Sequence, residues 1–490
     1  MTTHFANEDS PLSFWPRVRE FAVPASMIET ATARRRAGDW AGACAAAGVD
    51  VDLDLRTLAG SHGREFVSRL RCDLRHLAPD LLRWHLPRIA PDGLLRPGLT
   101  IALARYDGAG RGGRPVHLVV RTPPSWADAG QRISLTLWEG FRAHGHGVGP
   151  GHPHPHPHPS RRFRLDLHRH LWDARRTDEL RTRSGATATA TATATVTVAR
   201  MPGDPEDDER SPRLTLPPGA VPDGRTAAVD RWAAEADILL RAEGRSGGAV
   251  LVRLGGRHRL ILETDGDDGG GPPALRVAPV GGGAGTAPGT RPALPVLPDA
   301  ATWAPPDLEL LRADAIDADR LHPLVAAALV PERVPTYRAE AADRPGQPRF
   351  VECRGARHRI GLVDGVLVPL DHDPAELRRE ELLVALSGTP LPCLRAVDEA
   401  HRRPDCLTGV RERLVHGDIA GALAVVEGLL GPEALLRDGA LRDELEAAAE
   451  RRITYGLFRA GLTGRAPGRL PPRKPRPAGL RSRPRHVTGR

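Results

Sequence analysis

The sequence predicts an α+β fold, with helical N- and C-terminal regions flanking antiparallel β-hairpin and meander modules. Long low-complexity loops separate these parts, and a disordered basic tail follows them. Three observations predict this. Apolar residues recur at helical spacing near both ends, and they alternate at every second position through the middle. The 52 Gly and 47 Pro among 490 residues concentrate in segments that cannot build a core. The length suffices for about three domains.

Residues 1–97 read as helical. Phe66, Leu70, Leu74, Leu77 and Leu81 follow one another at spacings of four or three, which is one face of a helix, and Pro79 breaks the pattern near its end. Residues 98–180 read as an antiparallel meander built from four alternating runs, Leu99–Tyr106, Val116–Thr122, Arg132–Glu139 and Arg162–Arg169. A His-Pro repeat, His152 to Pro159, interrupts it. Residues 181–222 read as a low-complexity linker with an Ala-Thr alternation (Ala186–Thr195) and an acidic patch (Asp204–Glu209). Thr195-Val196-Thr197-Val198 at its centre suits a weak edge strand.

A duplicated string organises the next two segments. Leu254-Gly255-Gly256-Arg257-His258-Arg259-Leu260 aligns with Arg354-Gly355-Ala356-Arg357-His358-Arg359-Ile360. Each copy lies between apolar runs and follows a helical pattern, Ala227–Leu240 or Leu308–Leu329. Residues 223–303 and 304–390 therefore read as two copies of a helix followed by a hairpin, the first carrying a Gly-rich loop between Gly266 and Gly289. Asp364-Gly365 adds a two-residue turn to the second copy. Residues 391–460 return to helix, including Leu441–Ala449, and 461–490 form an Arg/Pro-rich tail.

A second echo joins the two ends. Ala37-Gly38-Asp39-Trp40-Ala41-Gly42-Ala43 matches His416-Gly417-Asp418-Ile419-Ala420-Gly421-Ala422. In each, a helix ends at glycine, aspartate caps the next, and small residues permit close packing. The string resembles the turn and second helix of a tetratricopeptide-type hairpin. The resemblance covers about a dozen residues at each place, lacks a tandem array, and implies helical hairpins only.

Arginine supplies all but one of the 69 basic residues, and the sole lysine is Lys474. With abundant Ala, Gly and Pro, this skew points to a GC-rich bacterial genome, so arginine richness by itself says little about function. Location says more. Nine basic residues and no acidic ones fall between Gly461 and Arg490, which outweighs the formal charge of +8 and leaves the body close to neutral. Arg473, Lys474, Arg476, Arg481, Arg483 and Arg485 thus form an extended arm suited to phosphate backbones or other anionic partners. The five cysteines (Cys44, Cys72, Cys353, Cys393, Cys406) contain no Cys-x-x-Cys pair, which argues against a disulfide framework or a cysteine-rich zinc module. No signal peptide or membrane-length apolar stretch is apparent, so the expectation is a cytoplasmic protein without membrane association.

Most catalytic strings fail on context. A Walker A loop, a pyridoxal Schiff base and a protein-kinase site each need a lysine inside a fold, and Lys474 lies in the tail. Gly108-Ala109-Gly110-Arg111-Gly112-Gly113 precedes a strand where a dinucleotide site needs a helix. Ser246 sits in a Gly-x-Ser-x-Gly string with helix before and strand after, the reverse of a nucleophile elbow. His416-Gly417-Asp418 has Leu423 where a kinase-like catalytic loop needs asparagine. The six histidines at 144, 146, 152, 154, 156 and 158 alternate with residues that favour polyproline II and are not preorganised as a chelate.

Asp371-His372-Asp373 has the composition of a metal or acid–base group, yet Asp373 before Pro374 and Glu376 is a helix N-cap. His258 and His358 face either a shared groove or their own sheets. The sequence therefore predicts no catalytic residue, no cofactor and no assigned metal ligand. The function it favours is a non-catalytic interaction or scaffold protein with a protein partner. One alternative is weak nucleic-acid or anionic-partner binding through the tail. The other is a metal-dependent or hydrolytic enzyme using His258, His358, His372 or Asp373.

Overall fold

The computed structural model of the chain describes residues 14–140, 154–186, 196–198, 216, 220–222, 224–255, 258–264, 275–279, 294–331, 349–387 and 390–462. Within them the architecture is α+β, as the patterning predicts. Helix α1 (Ala25–Arg36) and α2 (Trp40–Ala46) form a hairpin. Gly38 takes φ +80°, and Asp39 Oδ1 accepts the Gly42 N–H at 2.8 Å. Strand β1 (Val49–Val51) leads to α3 (Leu55–His62), α4 (Arg64–His76) and α5 (Pro79–His85). Phe66, Leu70, Leu74, Leu77 and Leu81 all lie in the first core, and the helix restarts at Pro79, which has no N–H to continue the preceding one.

Strands β2 (Thr100–Tyr106), β3 (Val116–Arg121) and β4 (Ile133–Trp138) form the expected antiparallel meander. The glycines at 108, 112 and 113, all at positive φ, serve the loop between β2 and β3. The fourth expected run, Arg162–Arg169, is not a strand. The Leu167 and His168 N–H groups close local turns onto the Arg164 and Leu165 carbonyls, so the run reaches the sheet through an isolated bridge from Arg164 to Ala102 and forms no ladder. The fourth place in the sheet goes instead to β1, parallel to β4, in the order β1-β4-β3-β2.

The His-Pro tract also departs from expectation. From residue 154 onward it packs on the sheet rather than standing off as a loop. His154 is buried, with its ring bonded to the Thr122 and His156 carbonyls at 2.9 and 3.0 Å. Thr100 Oγ1 donates to the His156 carbonyl, and His158 meets Trp138 edge-on. Imidazole nitrogens satisfy groups that the sheet margin leaves open. His144, His146 and His152 lie outside the described residues.

The second sheet has the order β5-β8-β7-β6 and comprises β5 (Val196–Val198), β6 (Gly248–Arg253), β7 (Arg259–Thr264) and β8 (Leu275–Pro279). Val196–Val198 is the edge strand its alternation suggests. β8 arises inside the segment read as a Gly-rich loop, because Leu275 and Val277 alternate with polar Arg276 and pair with β7. Helix α6 (Trp232–Ala242) lays Trp232, Ala236, Leu239 and Leu240 against Val250, Val252 and Leu262. Ser246 is an exposed bend residue between α6 and β6.

The pattern over Leu308–Leu329 becomes two short helices, α7 (Pro306–Arg312) and α8 (Pro323–Leu329). Leu310, Leu321 and Val325 join the first core, whereas Ile360 and Leu367 of the following strands join another. Those strands, β9 (Arg349–Cys353), β10 (Ala356–Val363) and β11 (Val366–Pro369), form an antiparallel sheet. Both of its turns have two central residues at positive φ, Arg354-Gly355 and the expected Asp364-Gly365.

Helices α9 (Pro374–Ser387), α10 (Pro392–Arg402), α11 (Leu407–His416), α12 (Ile419–Leu430) and α13 (Ala440–Arg459) follow. Asp418 Oδ1 accepts the Gly421 N–H at 2.9 Å and repeats the geometry of Asp39. α13 returns to the first sheet, where Tyr455 Oη donates to Asp50 at 2.5 Å and Arg459 pairs with Asp52. Among the described residues, no helix is long and apolar enough to cross a membrane.

Candidate anion-binding cavity

A cavity of about 300 Å³ lies where the first core meets the second module. That volume is at the small end of the range for ligand sites. Its walls come from six stretches of the chain: residues 14–19, the end of α5 and the hairpin after it, the 162–171 turns, residues 180–183, the segment leading into α6, and residues 299–309. Trp15, Trp84, Phe163 and Trp303 line its apolar part.

The charge on these walls is one-sided. Eight arginines line the cavity against two carboxylates, Asp299 and Glu309. Four of the arginines are already paired: Arg19 with Asp307 at 2.8 Å, Arg162 with Asp299 at 2.5 Å, Arg164 with Asp166 and Glu243, and Arg183 with Glu235 at 2.5 Å. Arg19 is further held between the rings of Trp15 and Trp84. The remaining four, Arg88, Arg96, Arg225 and Arg231, have no carboxylate within salt-bridge distance among the described residues.

Arg88 and Arg231 are 8% and 9% exposed, and backbone carbonyls alone accept from them. Burial and the nearby Arg83 and Arg19 hold Arg88 well below the usual guanidinium range, and burial lowers Arg231, opposed by the nearby Glu235 and Asp230. Arg225 stacks over Trp303 at 4.3 Å. A buried cation without a counterion, as at Arg88, is costly, and an incoming anion relieves that cost.

Hydrogen-bonding capacity points the same way. Buried polar atoms without a protein partner include Nε of Arg88, Arg96 and Arg231, Nε1 of Trp303 and Nε2 of His85, all from residues that line this cavity. The first four are donors. His85 Nδ1 faces the carbonyls of Leu81 and Leu171 at 3.1 and 3.2 Å, so it must carry the proton, which leaves Nε2 an acceptor. Burial pushes His85 down to about 4, so the ring is neutral at physiological pH.

Among the described residues the lining contains no Ser, Thr, Cys, Tyr or Lys, so none of them offers a hydroxyl, thiol or amine nucleophile. Its two carboxylates are engaged, Asp299 by Arg162 and Glu309 by the Thr226 N–H at 2.8 Å. The chemistry offered is recognition of an anion with a flat apolar body.

The residues singled out from sequence lie elsewhere. Arg473, Lys474, Arg476, Arg481, Arg483 and Arg485 are outside the described residues. His258 is exposed in the β6–β7 loop, and His358 points from β10 into a different sheet's packing. His358 stacks on His372 with ring centroids 4.2 Å apart. Asp373 Oδ1 accepts the Ala375 N–H at 2.9 Å, the N-cap its position suggests. Cys353 and Cys393 converge on His372, a grouping that the lack of a Cys-x-x-Cys string conceals.

Sequence reasoning missed the cavity because arginine is common throughout the chain and its unpaired members are scattered between residues 88 and 231. No local spacing marks which of them lack a counterion. Comparison with protein-family models, with curated proteins and with solved structures finds no match.

Proposed function

We propose that this chain is a non-catalytic binding protein for a small organic anion, a carboxylate or phosphate ester with a flat apolar body, held in the arginine-walled cavity. The observation that carries this reading is the coincidence in one cavity of four arginines without carboxylate partners among the described residues and an aromatic lining. Charge-assisted hydrogen bonds from such groups contribute about 1.5–3 kcal/mol each. A cytoplasmic setting fits the five free thiols.

Titration with aromatic carboxylates and aryl phosphates, followed through the tryptophans of the lining, tests it. Saturable quenching is expected, weakened at least ~10-fold by Arg88→Gln or Arg231→Gln. A chain ending at Leu462 should bind the small anion equally well. It should also lose retention on heparin if the tail is an independent nucleic-acid or polyanion anchor. No saturable binding across the panel, or equal affinity for uncharged analogues, overturns the reading.

A second reading, a scaffold component with a protein partner, is favoured by the exposed apolar residues of the C-terminal module. Leu382 and Leu386 lie one turn apart on α9, both largely exposed, and Phe350 is exposed on β9. Stoichiometric co-purification of the untagged protein with a partner, abolished by Leu382→Asp with Leu386→Asp, is the expected result. A partner-free monomer counts against it.

A further inference from the structure

The C-terminal module holds a cluster that the cavity does not use. Cys353 ends β9, His372 lies in the loop between β11 and α9, and Cys393 is in the first turn of α10. The two thiols are fully buried and the His372 side chain is 4% exposed. One donor atom from each lies within 4.8 Å of the other two, and His372 Nε2 is 3.4 Å from Cys393 Sγ. A tetrahedral zinc with bonds of about 2.3 Å to sulfur and about 2.0 Å to nitrogen sets its ligands about 3.6–3.8 Å apart. The His372–Cys393 separation is close to that spacing, and the remaining pairs lie within 4.8 Å.

The surroundings fit as well. The other ring nitrogen of His372, Nδ1, faces Glu376 Oε2 at 3.8 Å, the arrangement in which a carboxylate orients a metal-bound imidazole. Glu376 is itself held by Arg354 at 2.6 Å. His358 stacks on His372, with interplanar angle 10°, and its buried Nδ1 has no protein partner. His358 thus packs against the face of the His372 ring and helps hold its orientation. Two thiolates with imidazole form a borderline-soft set that selects zinc over magnesium or calcium.

We infer that Cys353, His372 and Cys393 bind one Zn²⁺ in the reduced protein, with the fourth position left to a ligand other than these three, such as water. The metal joins the end of a strand, a loop and the start of a helix in a small module, and its binding releases the thiol protons to solvent.

The test uses the full chain prepared without nickel chromatography. About one equivalent of zinc per chain is expected, and it should be lost in Cys353→Ser with Cys393→Ser and in His372→Gln. Those variants risk unfolding, so replacement of zinc by cobalt in the unmutated protein supplies an independent readout. A thiolate-to-cobalt charge-transfer band with the visible intensity of a tetrahedral site supports the inference. An octahedral spectrum without that band overturns it. So does metal that persists in the cysteine variant but is lost from His156→Gln with His158→Gln, because it then belongs to the His-Pro tract. A Cys353–Cys393 disulfide in anaerobically purified protein, or free thiols with no zinc, also overturns it.

Discussion

The hairpins α1–α2 and α11–α12 share one local sequence and one local structure, yet they carry very different structural stakes. Each ends a helix at a glycine with positive φ, and each caps the next helix with an aspartate that also pairs with an arginine five residues earlier. At Gly42 and Gly421, any Cβ would overlap the capping carboxylate. The difference lies in what each hairpin touches. A Cβ on Gly38 meets nothing within 4 Å, whereas one on Gly417 would overlap the Gly130 carbonyl of the first module. Arg83, buried and without a carboxylate partner among the described residues, donates to the carbonyls of Ala22, Gln131 and His416 and so ties the second hairpin to the first core. The shared string sets the turn, and the docking partner sets its energetic weight.

That contrast can be broken by substitution. Gly417→Ala should have the largest effect, at least ~3 kcal/mol, because backbone strain adds to collision with a carbonyl that cannot swing away. Gly38→Ala should cost only about 1 kcal/mol, from strain alone. Urea denaturation of the two variants beside the unmodified chain measures the gap, and equal losses would mean that the Gly417–Gly130 contact is absent in solution.

The residue before the glycine sharpens the comparison further. Ala37 in the first hairpin corresponds to His416 in the second, where burial and three neighbouring arginines push the imidazole down to about 3. Glu412, 3.8 Å away, is already paired with Arg17. A folded-state value below the usual 6.5 means that the unfolded chain binds the proton and the folded chain does not. The contribution is therefore complete above pH 6.5 and is lost as pH falls from there towards 3, by up to about 1.4 kcal/mol per pH unit. His416→Ala should flatten the fall in stability between pH 6 and pH 4 by about that slope. An unchanged slope would show that His416 is solvated.

Removing the caps should separate the hairpins by less. Asp418→Ala should lower stability by about 1–2 kcal/mol, and the more exposed Asp39→Ala by about 0.5–1 kcal/mol, as judged by thermal unfolding. Gly355→Ala should likewise have a small effect, about 1 kcal/mol as at Gly38, because its positive φ is strained while the space around it is open. Intact zinc stoichiometry in that variant would show that the β9–β10 turn and the Cys353 site tolerate the strain together.

The β-hairpins teach the converse lesson. The string at 254–260 repeats at 354–360, but the first copy spans a longer loop closed by the Leu254 N–H to the His258 carbonyl, with Arg253 opposite Arg259. The second closes in two residues, with Cys353 opposite Ala356. Strand register is set by turn length, so His258 falls in an exposed loop while His358 falls on the packed face beside His372. A one-dimensional alignment does not carry that distinction. The same limit explains Arg162–Arg169, whose alternation suits a strand while its N–H groups close turns instead.

By itself, the sequence determined the features that short-range chemistry closes: the α+β class, the break at Pro79, the Gly-Asp helical turns, the Asp364-Gly365 turn and the Asp373 cap. Each needs only neighbours a few residues away. Tertiary structure alone decided which arginines remain without a counterion, that Cys353 and Cys393 meet at His372, and that the His-Pro tract packs on a sheet. Those outcomes depend on burial and on partners brought from distant segments. Desolvation and Coulomb pairing follow distance through space, which spacing along the chain does not record.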